Sequence, residues 1–277
     1  MVPTAQRRHR TTRAVVAASS LLIAMMLAAC SMSPFATSDD SPDRVPHSGA
    51  SPPGDSPHLA TGPLRGRTTG ELTVRDAASR IVVRLVSLPD QLYRVSTPAG
   101  SGLAPRVTAR DGRVRVTLVA TGADGPDVVE VLLNRAVRWD LRLPAGAGEK
   151  HLDLVAGRLR RITLGSAAGL VSLRLPRPRG SVPLVVAGPV GELSVAAPAG
   201  TAIRLRLRAG AGTVSVPWSR RTTAGPRTTL VSGPAARPRY AIDVRPEAGA
   251  VTVALPRTLS AGRCVPSCSG GTRGPGR

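Results

Sequence analysis

Aromatic side chains are almost absent from this chain of 277 residues, which contains two Trp, two Tyr and one Phe. A core must therefore be built mainly from Val, Leu and Ile, and these branched side chains suit a narrow β core better than a deep pocket. Lysine is scarcer still, because Lys150 is the only one. Together with the excess of Ala, Gly, Pro and Val, this preference for arginine indicates the residue bias of a GC-rich genome.

Groups that commonly perform catalysis or bind metals are also few. The chain has three cysteines and four histidines, and the histidines are His9, His47, His58 and His151. The sequence contains no Gly-x-Ser-x-Gly elbow, no phosphate-binding loop and no cluster with metal-ligand spacing. We therefore expect a protein that is not an enzyme and that holds no cofactor and no metal.

The first 30 residues have the layout of an export signal. A basic start is followed by an apolar run over residues 14–29, which is shorter than the roughly 20 residues of a comfortable membrane span. The run closes on Leu27-Ala28-Ala29-Cys30, which resembles the lipobox of bacterial lipoproteins. The resemblance implies cleavage before Cys30, acylation of Cys30 and a stable anchor at the extracytoplasmic face of the cell membrane. The alternative is a secreted protein with a chance cysteine at this position.

The chain is strongly basic, with a formal net charge of +21 at pH 7. Such a charge invites a nucleic-acid partner. Export would separate this protein from intracellular nucleic acid, however, so we expect no nucleic-acid binding. The charge instead favours attraction to anionic lipid headgroups, to an anionic envelope polymer or to another surface protein.

Composition divides the chain into five segments. We predict a signal peptide (1–29), a disordered Ser/Pro/Gly-rich tether that begins at the lipidated cysteine (30–70), an N-terminal β-strand region (71–138), a repeat β-solenoid continuous with it (139–258) and a disordered tail (259–277). In the tail, Cys264 and Cys268 would close a small disulfide loop in an oxidising exterior or would remain two free thiols.

The strand region and the solenoid are both expected to be all-β. No window after the signal shows the apolar stripe of a helix, whereas short alternating runs such as residues 81–86 predict β-strands. Asp111-Gly112 separates two such runs, residues 107–109 and 114–118, and predicts a tight hairpin.

The second half of the chain contains an internal repeat. Five glycines share one frame, with apolar residues seven and five positions before each glycine and two and four after it, Lys150 being the exception. These glycines are Gly148, Gly169, Gly191, Gly212 and Gly249, at spacings of 21, 22, 21 and 37 residues. Each unit predicts a strand, a glycine turn and a second strand.

A unit of about 21 residues cannot bury its own apolar row, so we predict a solenoid of stacked coils. In this architecture Leu173 lies beside Leu152 and Val195 of the neighbouring coils. A meander of antiparallel hairpins is the alternative.

Residues 133–141 and the glycine-framed repeats after them resemble the adhesin-type (toastrack-like) β-solenoid domains of bacterial cell surfaces, over roughly residues 71–256. The resemblance implies a surface interaction module that adheres to an envelope polymer, a protein partner or another cell. Similar domains form the C-terminal part of accessory proteins in envelope stress-response systems, so a sensor or regulator is the alternative, and a structural spacer is a third. The resemblance implies no catalytic or ligand-binding residue.

Two surface features are candidates for binding. The position three after each glycine would form a hydroxyl ladder, made of Ser172, Ser194, Ser215 and Thr252 with His151 in the first copy. Arg204, Arg206 and Arg208 alternate with leucines, so they would project together as a basic face for acidic polymers. Both features are equally typical of an ordinary solvated sheet surface.

The repeat frame also predicts one ion pair and the positions of the two tryptophans. Arg206 would pair with Asp243 across two coils, although an exposed ion pair contributes only about 0–1 kcal/mol. Trp139 would plug the solenoid at its first coil, and Trp218 would lie beside the insertion that lengthens the last repeat.

Overall fold

The computed structural model describes residues 57–234 and 237–257, and within these ranges the chain forms eighteen β-strands and no helix. The strands are β1 His58–Pro63, β2 Thr69–Val74, β3 Ala78–Val86, β4 Gln91–Thr97, β5 Leu103–Arg110, β6 Arg113–Ala120, β7 Val128–Asn134, β8 Arg138–Leu143, β9 Ala147–Asp153, β10 Arg158–Leu164, β11 Ala168–Arg174, β12 Val182–Val186, β13 Val190–Ala196, β14 Ala202–Leu207, β15 Ala211–Ser215, β16 Thr228–Ser232, β17 Arg239–Val244 and β18 Ala248–Ala254. In the described ranges no helix is long and apolar enough to cross a bilayer. Cys30, Cys264 and Cys268 lie outside the described residues.

The strands form two sheets of nine. Sheet I has the order β1-β4-β7-β3-β9-β11-β13-β18-β15, and sheet II has the order β16-β14-β17-β12-β10-β8-β2-β6-β5. Seven times, a strand of sheet II is followed along the chain by a strand of sheet I, and each such pair is one coil of a solenoid. Within both sheets these coils pair in parallel.

Parallel stacking confirms the predicted solenoid over the meander. Leu173 is the register partner of Leu152 on one side and of Val195 on the other. The predicted hairpin is present as well, since β5 and β6 pair antiparallel around Asp111 and Gly112. Both turn residues have positive φ, which matches the turn that joins two twisted strands most tightly.

The folded region begins earlier than the sequence indicates. The composition of residues 58–70 predicts that they belong to the tether, but they contain β1 and the first residues of β2. β1 pairs antiparallel with β4 along its whole length, and β2 forms the first coil with β3. The segment has few apolar side chains because β1 lies at the edge of sheet I and buries only one residue.

The spatial order of the coils departs from the order along the chain at both ends. The β6/β7 coil stacks on the outer side of β2/β3, and the chain then returns to place β8/β9 on the inner side. At the other end β14/β15 is outermost, and β17/β18 fits between it and β12/β13. The long last repeat therefore contains more than an insertion. It adds β16, which pairs antiparallel with the outer side of β14, and the β17/β18 coil then enters between β14/β15 and β12/β13.

A column of glycines fixes how closely the coils approach. The repeat glycines are each the second residue of a sheet I strand, rather than the turn residues that the sequence indicated. A Cβ added at any of the five would lie 2.5–3.0 Å from a backbone oxygen of the adjacent coil. The order of contacts places Gly249 between Gly191 and Gly212, in agreement with the strand order. Glycine is required here because another backbone occupies the place of a side chain.

The two corners of each coil differ. The connection from sheet II to sheet I is three residues long in six coils, at 75–77, 144–146, 165–167, 187–189, 208–210 and 245–247. The connections that lead from one coil back to the sheet II strand of the next vary from three to seven residues, for example 135–137, 154–157 and 175–181, and the connection to the antiparallel strand β16, residues 216–227, has twelve. We call this second side the variable corner. Loops of variable length on a rigid scaffold are where proteins usually carry their binding residues.

One position in the apolar interior is occupied by a charged residue. Lys150 is fully buried between Ile81 and Val171, its register partners in the neighbouring coils. Its Nζ donates a hydrogen bond of 3.4 Å to the carbonyl of Ser166 in a three-residue corner. Burial lowers the pKa of Lys150 to about 8, because the charged amine loses its hydration.

Replacing Gly191 with Ala should destabilise the solenoid, since the new Cβ would lie 2.6 Å from the Gly169 carbonyl oxygen. We expect a loss of about 1–3 kcal/mol in the free energy of unfolding, measured by denaturant titration. Gly225→Ala is the matched control, because no atom lies within 4 Å of its added Cβ and its φ is not positive. An equal loss in both variants would contradict the role of the glycine column.

Lys150→Met should stabilise the protein, and most strongly below pH 8. The pKa of Lys150 is about 8 when folded and about 10.4 in an unfolded chain. Between these values the unfolded state binds more protons, so the stability of the parent rises with pH by roughly 3 kcal/mol. The advantage of Lys150→Met should shrink by that amount from pH 8 to pH 10.5. Urea titrations at each pH measure the difference in the free energy of unfolding between variant and parent. Tyrosine ionisation affects both proteins equally and cancels in this difference. A difference that does not change with pH would refute the prediction.

Candidate functional site

Arginines concentrate at the variable corner of five consecutive coils in the stack. Residues 135–137, 154–157, 175–181 and 197–201 lead from sheet I to sheet II in these coils, and residues 233–238 lead from β16 to β17. None of these five segments contains Asp or Glu. Seven arginines in these loops or in the first residues of the sheet II strands that follow them line a pair of grooves: Arg138, Arg158, Arg177, Arg179, Arg204, Arg237 and Arg239. We call this surface the arginine corner. Five of its guanidinium-bearing side chains are exposed, and Arg158 and Arg239 are half-buried.

The arginines line two adjoining grooves. The first has a volume of about 210 Å³, and its walls include Arg138, Arg158, Arg177 and Arg179, with Pro176, Pro178 and Tyr240. The second is wider and more open, with a volume of about 630 Å³ between Ser181, Arg204, Arg237 and Arg239. Gly180 belongs to both. No carboxylate is among the residues that line either groove.

The loop between the grooves, residues 175–181, is held by the coil that fits in from the end of the chain. The buried Tyr240 hydroxyl donates a hydrogen bond of 2.8 Å to the Pro176 carbonyl, and the Arg239 amide donates to the Gly180 carbonyl at 3.2 Å. Burial raises the pKa of Tyr240 well above its ordinary value, so the hydroxyl stays a donor. Because Pro176 and Pro178 also restrict the backbone, Arg177 and Arg179 are presented from a constrained loop.

The arginine corner forms no ion pair with a carboxylate among the described residues. Its hydrogen bonds within the described residues are to neutral acceptors: Arg158 donates to the Ala136 carbonyl, and Arg177 donates to the Ala199 carbonyl at 3.4 Å. Several guanidinium groups elsewhere in the described ranges are paired with carboxylates, as in Arg80–Glu149 at 2.7 Å. The positive charge at the corner is therefore not compensated by the described part of the chain. Guanidinium groups in this state bind carboxylate or phosphate through two parallel hydrogen bonds.

The three arginines of the predicted basic face on β14 do not share one environment. Arg204, Arg206 and Arg208 are all exposed, but only Arg204 lines a groove of the arginine corner. Arg208, at the opposite end of the strand, donates two hydrogen bonds of 2.8 Å to Asp243, which hold the pKa of that carboxyl below its ordinary value. The predicted Arg206–Asp243 ion pair is wrong: the two residues are register partners, and the carboxylate contacts Arg208 and Arg245 instead.

The predicted hydroxyl ladder is continuous, in a different order from that along the chain. Register partners place it as His151, Ser172, Ser194, Thr252 and Ser215 across the outer face of sheet I. Its first member is part of an ion cluster, since His151 and Arg80 both contact Glu149 and together lower the pKa of that carboxyl to about 2. Binding by the ladder stays a prediction.

The two tryptophans contribute to the core. Trp139 is fully buried beneath Gly70, and its indole N–H donates to the Asn134 carbonyl at 3.0 Å. It does not lie at the first coil of the stack, because the β2/β3 and β6/β7 coils lie beyond it. Trp218 packs, partly buried, against the core near the outermost coil. Over the residues described, no group of three or more His, Cys, Asp or Glu is arranged to hold a metal ion.

A trace of the arginine corner is present in the sequence. Arg138, Arg158, Arg179 and Arg239 each precede the glycine of their repeat by ten to twelve residues. The strict alternation of Arg204, Arg206 and Arg208 is the more visible pattern, whereas this recurrence is obscured because it crosses loops of different lengths. Only the stacking of coils makes residues separated by 100 positions neighbours.

Comparison with solved structures supports the fold. The chain is similar to a putative cell adhesion protein from Clostridium sporogenes, with a TM-score of 0.53 and 14% sequence identity over 73% of this chain and 99% of that one. At this identity the likeness concerns the all-β architecture alone. A putative adhesin from Bacteroides fragilis aligns over 73% of this chain and 98% of its own at 8% identity, with a TM-score of 0.22, too low to support any conclusion. Neither a protein-family model nor a curated protein matches the chain.

Proposed function

We propose that this protein is a cell-surface lipoprotein, anchored through acylated Cys30, that presents its β-solenoid as a non-catalytic interaction module. The arginine corner binds acidic polymers of the cell envelope. The observation that carries the proposal is the row of seven arginines around two adjoining grooves that have no carboxylate in their lining. The inward-facing side chains of the strands that carry this surface are buried in one continuous core, which supports the loops that present the arginines.

Surface location is supported by two independent features. The first 30 residues have the layout of a lipoprotein export signal. The fold is shared with a protein described as a cell adhesion protein. An exported, basic module meets anionic polymers and headgroups outside the cell, and these are the partners that its charge attracts.

The chemistry of the grooves supports binding rather than catalysis. Their charged groups are guanidiniums, which stay protonated at any physiological pH and have neither a nucleophilic atom nor a proton to exchange near neutrality. Such groups recognise anions by geometry and charge. The description of the structural neighbour as a putative cell adhesion protein is consistent with this use of the fold.

The anchor is tested by replacing Cys30. In the producing cell, Cys30→Ser should abolish incorporation of labelled fatty acid, because the thiol that accepts the lipid is gone, and should leave the signal uncleaved. Ser31→Ala is the matched control, which keeps the thiol next to the altered position. Fractionation and intact-mass measurement report the outcome. An acylated or normally processed Cys30→Ser protein would refute the anchor without bearing on the arginine corner.

The binding role is tested with wall material from the producing cells. Co-sedimentation of the full chain should fall by about tenfold in Arg179→Ser/Arg239→Ser, equivalent to about 1.4 kcal/mol, because both grooves lose a guanidinium. Arg106→Ser/Arg115→Ser removes the same charge from exposed positions outside both grooves and should retain most binding. Walls stripped of phosphate- and uronate-containing polymers should bind neither protein. Equal losses in both variants would show attraction by net charge alone, and the proposal would fail.

A further inference from the structure

We propose that the arginine corner is a lattice for one linear polyanion, which lies along the stacking direction and contacts arginines of five successive coils. The inference rests on the proposed function and deepens it, because it names the class of ligand. The ligand is an extended chain with an anionic group at every repeat, about 20 Å or more in length. A single phosphate or carboxylate fills only one step of the lattice.

The lattice follows from the order of the coils. Arg138 and Arg158 are register partners in adjacent strands. The next coil contributes Arg177 and Arg179, the one after it Arg237 and Arg239, and the outermost coil Arg204. Adjacent strands are about 4.8 Å apart, so five coils extend this charge over about 19 Å.

The coil that fits in from the end of the chain makes the lattice continuous. β12/β13 and β14/β15 are neighbours in sequence but lie two strand spacings apart, roughly 10 Å. The β17/β18 coil occupies the space between them. It places Arg239 in the wall of the second groove, between Ser181 of one flanking coil and Arg204 of the other. Its Tyr240 also holds the loop that carries Arg177 and Arg179. The same coil therefore supplies the central step and positions the arginines before it.

A chain of linked anions gains more from this arrangement than separate anions do. After one anionic group binds, the next is held near its own arginine, so each further contact costs little translational entropy. The guanidiniums of Arg158 and Arg177 already donate to backbone carbonyls, and the loop that carries Arg177 is constrained. Binding therefore requires less additional ordering of these side chains. Affinity should therefore rise steeply with ligand length until the lattice is filled, and then level off.

The surroundings of the grooves favour a polymer over a lipid bilayer. Stable docking to a bilayer surface needs apolar side chains that insert beside the basic ones. The large apolar residues in the groove walls, Leu159, Val182 and Tyr240, are buried, and the exposed apolar residue there is Pro238. Within the described ranges the large exposed apolar residues are Leu59, Val119 and Val231, and none of them lines either groove.

Oligoglutamates of 3, 6 and 12 residues provide the test, because an extended chain spans about 3.5 Å per residue and six residues span about 20 Å. Titration of the full chain in detergent at low salt should show affinity per glutamate rising at least tenfold from 3 to 6 residues and levelling off from 6 to 12. Arg239→Ser should weaken the 6-residue ligand about tenfold and the 3-residue ligand less than twofold, since a short chain can use the remaining arginines. Arg115→Ser, outside both grooves, should change neither.

The outcomes separate the lattice from the proposed function. If no oligoglutamate binds, both fall. If all three lengths bind with the same affinity per glutamate, or Arg239→Ser weakens all lengths equally, the corner binds anions but the lattice is wrong. Inorganic phosphate at the same charge concentration should bind at least a hundredfold more weakly than the 6-residue ligand. Phosphatidylglycerol vesicles that bind more tightly than the 12-residue ligand, and lose this with Arg239→Ser, would overturn the polymer in favour of a membrane.

Discussion

The close approach of one backbone to the next in sheet I is the constraint on which the rest of the structure depends. Each repeat glycine faces the backbone of the coil beside it at a distance that excludes a side chain. The regular spacing of these glycines fixes the register of the sheet I strands. This register also aligns all the remaining rows of equivalent side chains from coil to coil. Apolar side chains then stack into one continuous core, and the outward rows become ladders of charge or hydroxyl groups. A shift of one residue would exchange the two sets.

The solenoid departs from a regular stack of parallel coils at its two ends and at one position in its core. Open parallel sheets expose unpaired backbone, and here the strands outside the seven coils cover part of it: β1, β4 and β5 at one end and β16 at the other. At both ends the chain leaves the stack, adds an antiparallel strand and returns beside an earlier coil. The buried Lys150 is a second departure, and its amine is accommodated because it reaches a corner carbonyl at the edge of the core.

The arginine corner is a consequence of topology rather than of any single segment. Tight corners of three residues leave little space for variation on one side, whereas the loops on the other side differ in length and composition. Arginines in these loops and at the starts of the following strands, as far apart in the sequence as Arg138 and Arg239, are thereby brought onto one strip. Tyr240 illustrates the dependence, because it belongs to the last sheet II strand in the sequence yet positions a loop that precedes it by some 60 residues.

The sequence by itself determined most of the strands, the hairpin at Asp111-Gly112 and the 21-residue repeat, and it favoured parallel stacking over a meander, since each depends on local alternation or on spacing that recurs. It placed the start of the folded region too late, because the edge strand β1 buries too little to leave an apolar pattern. Only the tertiary structure decided that Gly249 stacks between Gly191 and Gly212, that Asp243 pairs with Arg208, and that arginines from five coils meet at one corner. The physical reason is that the place of a coil in the stack is set by which edge it can pair with, and no local pattern records that choice.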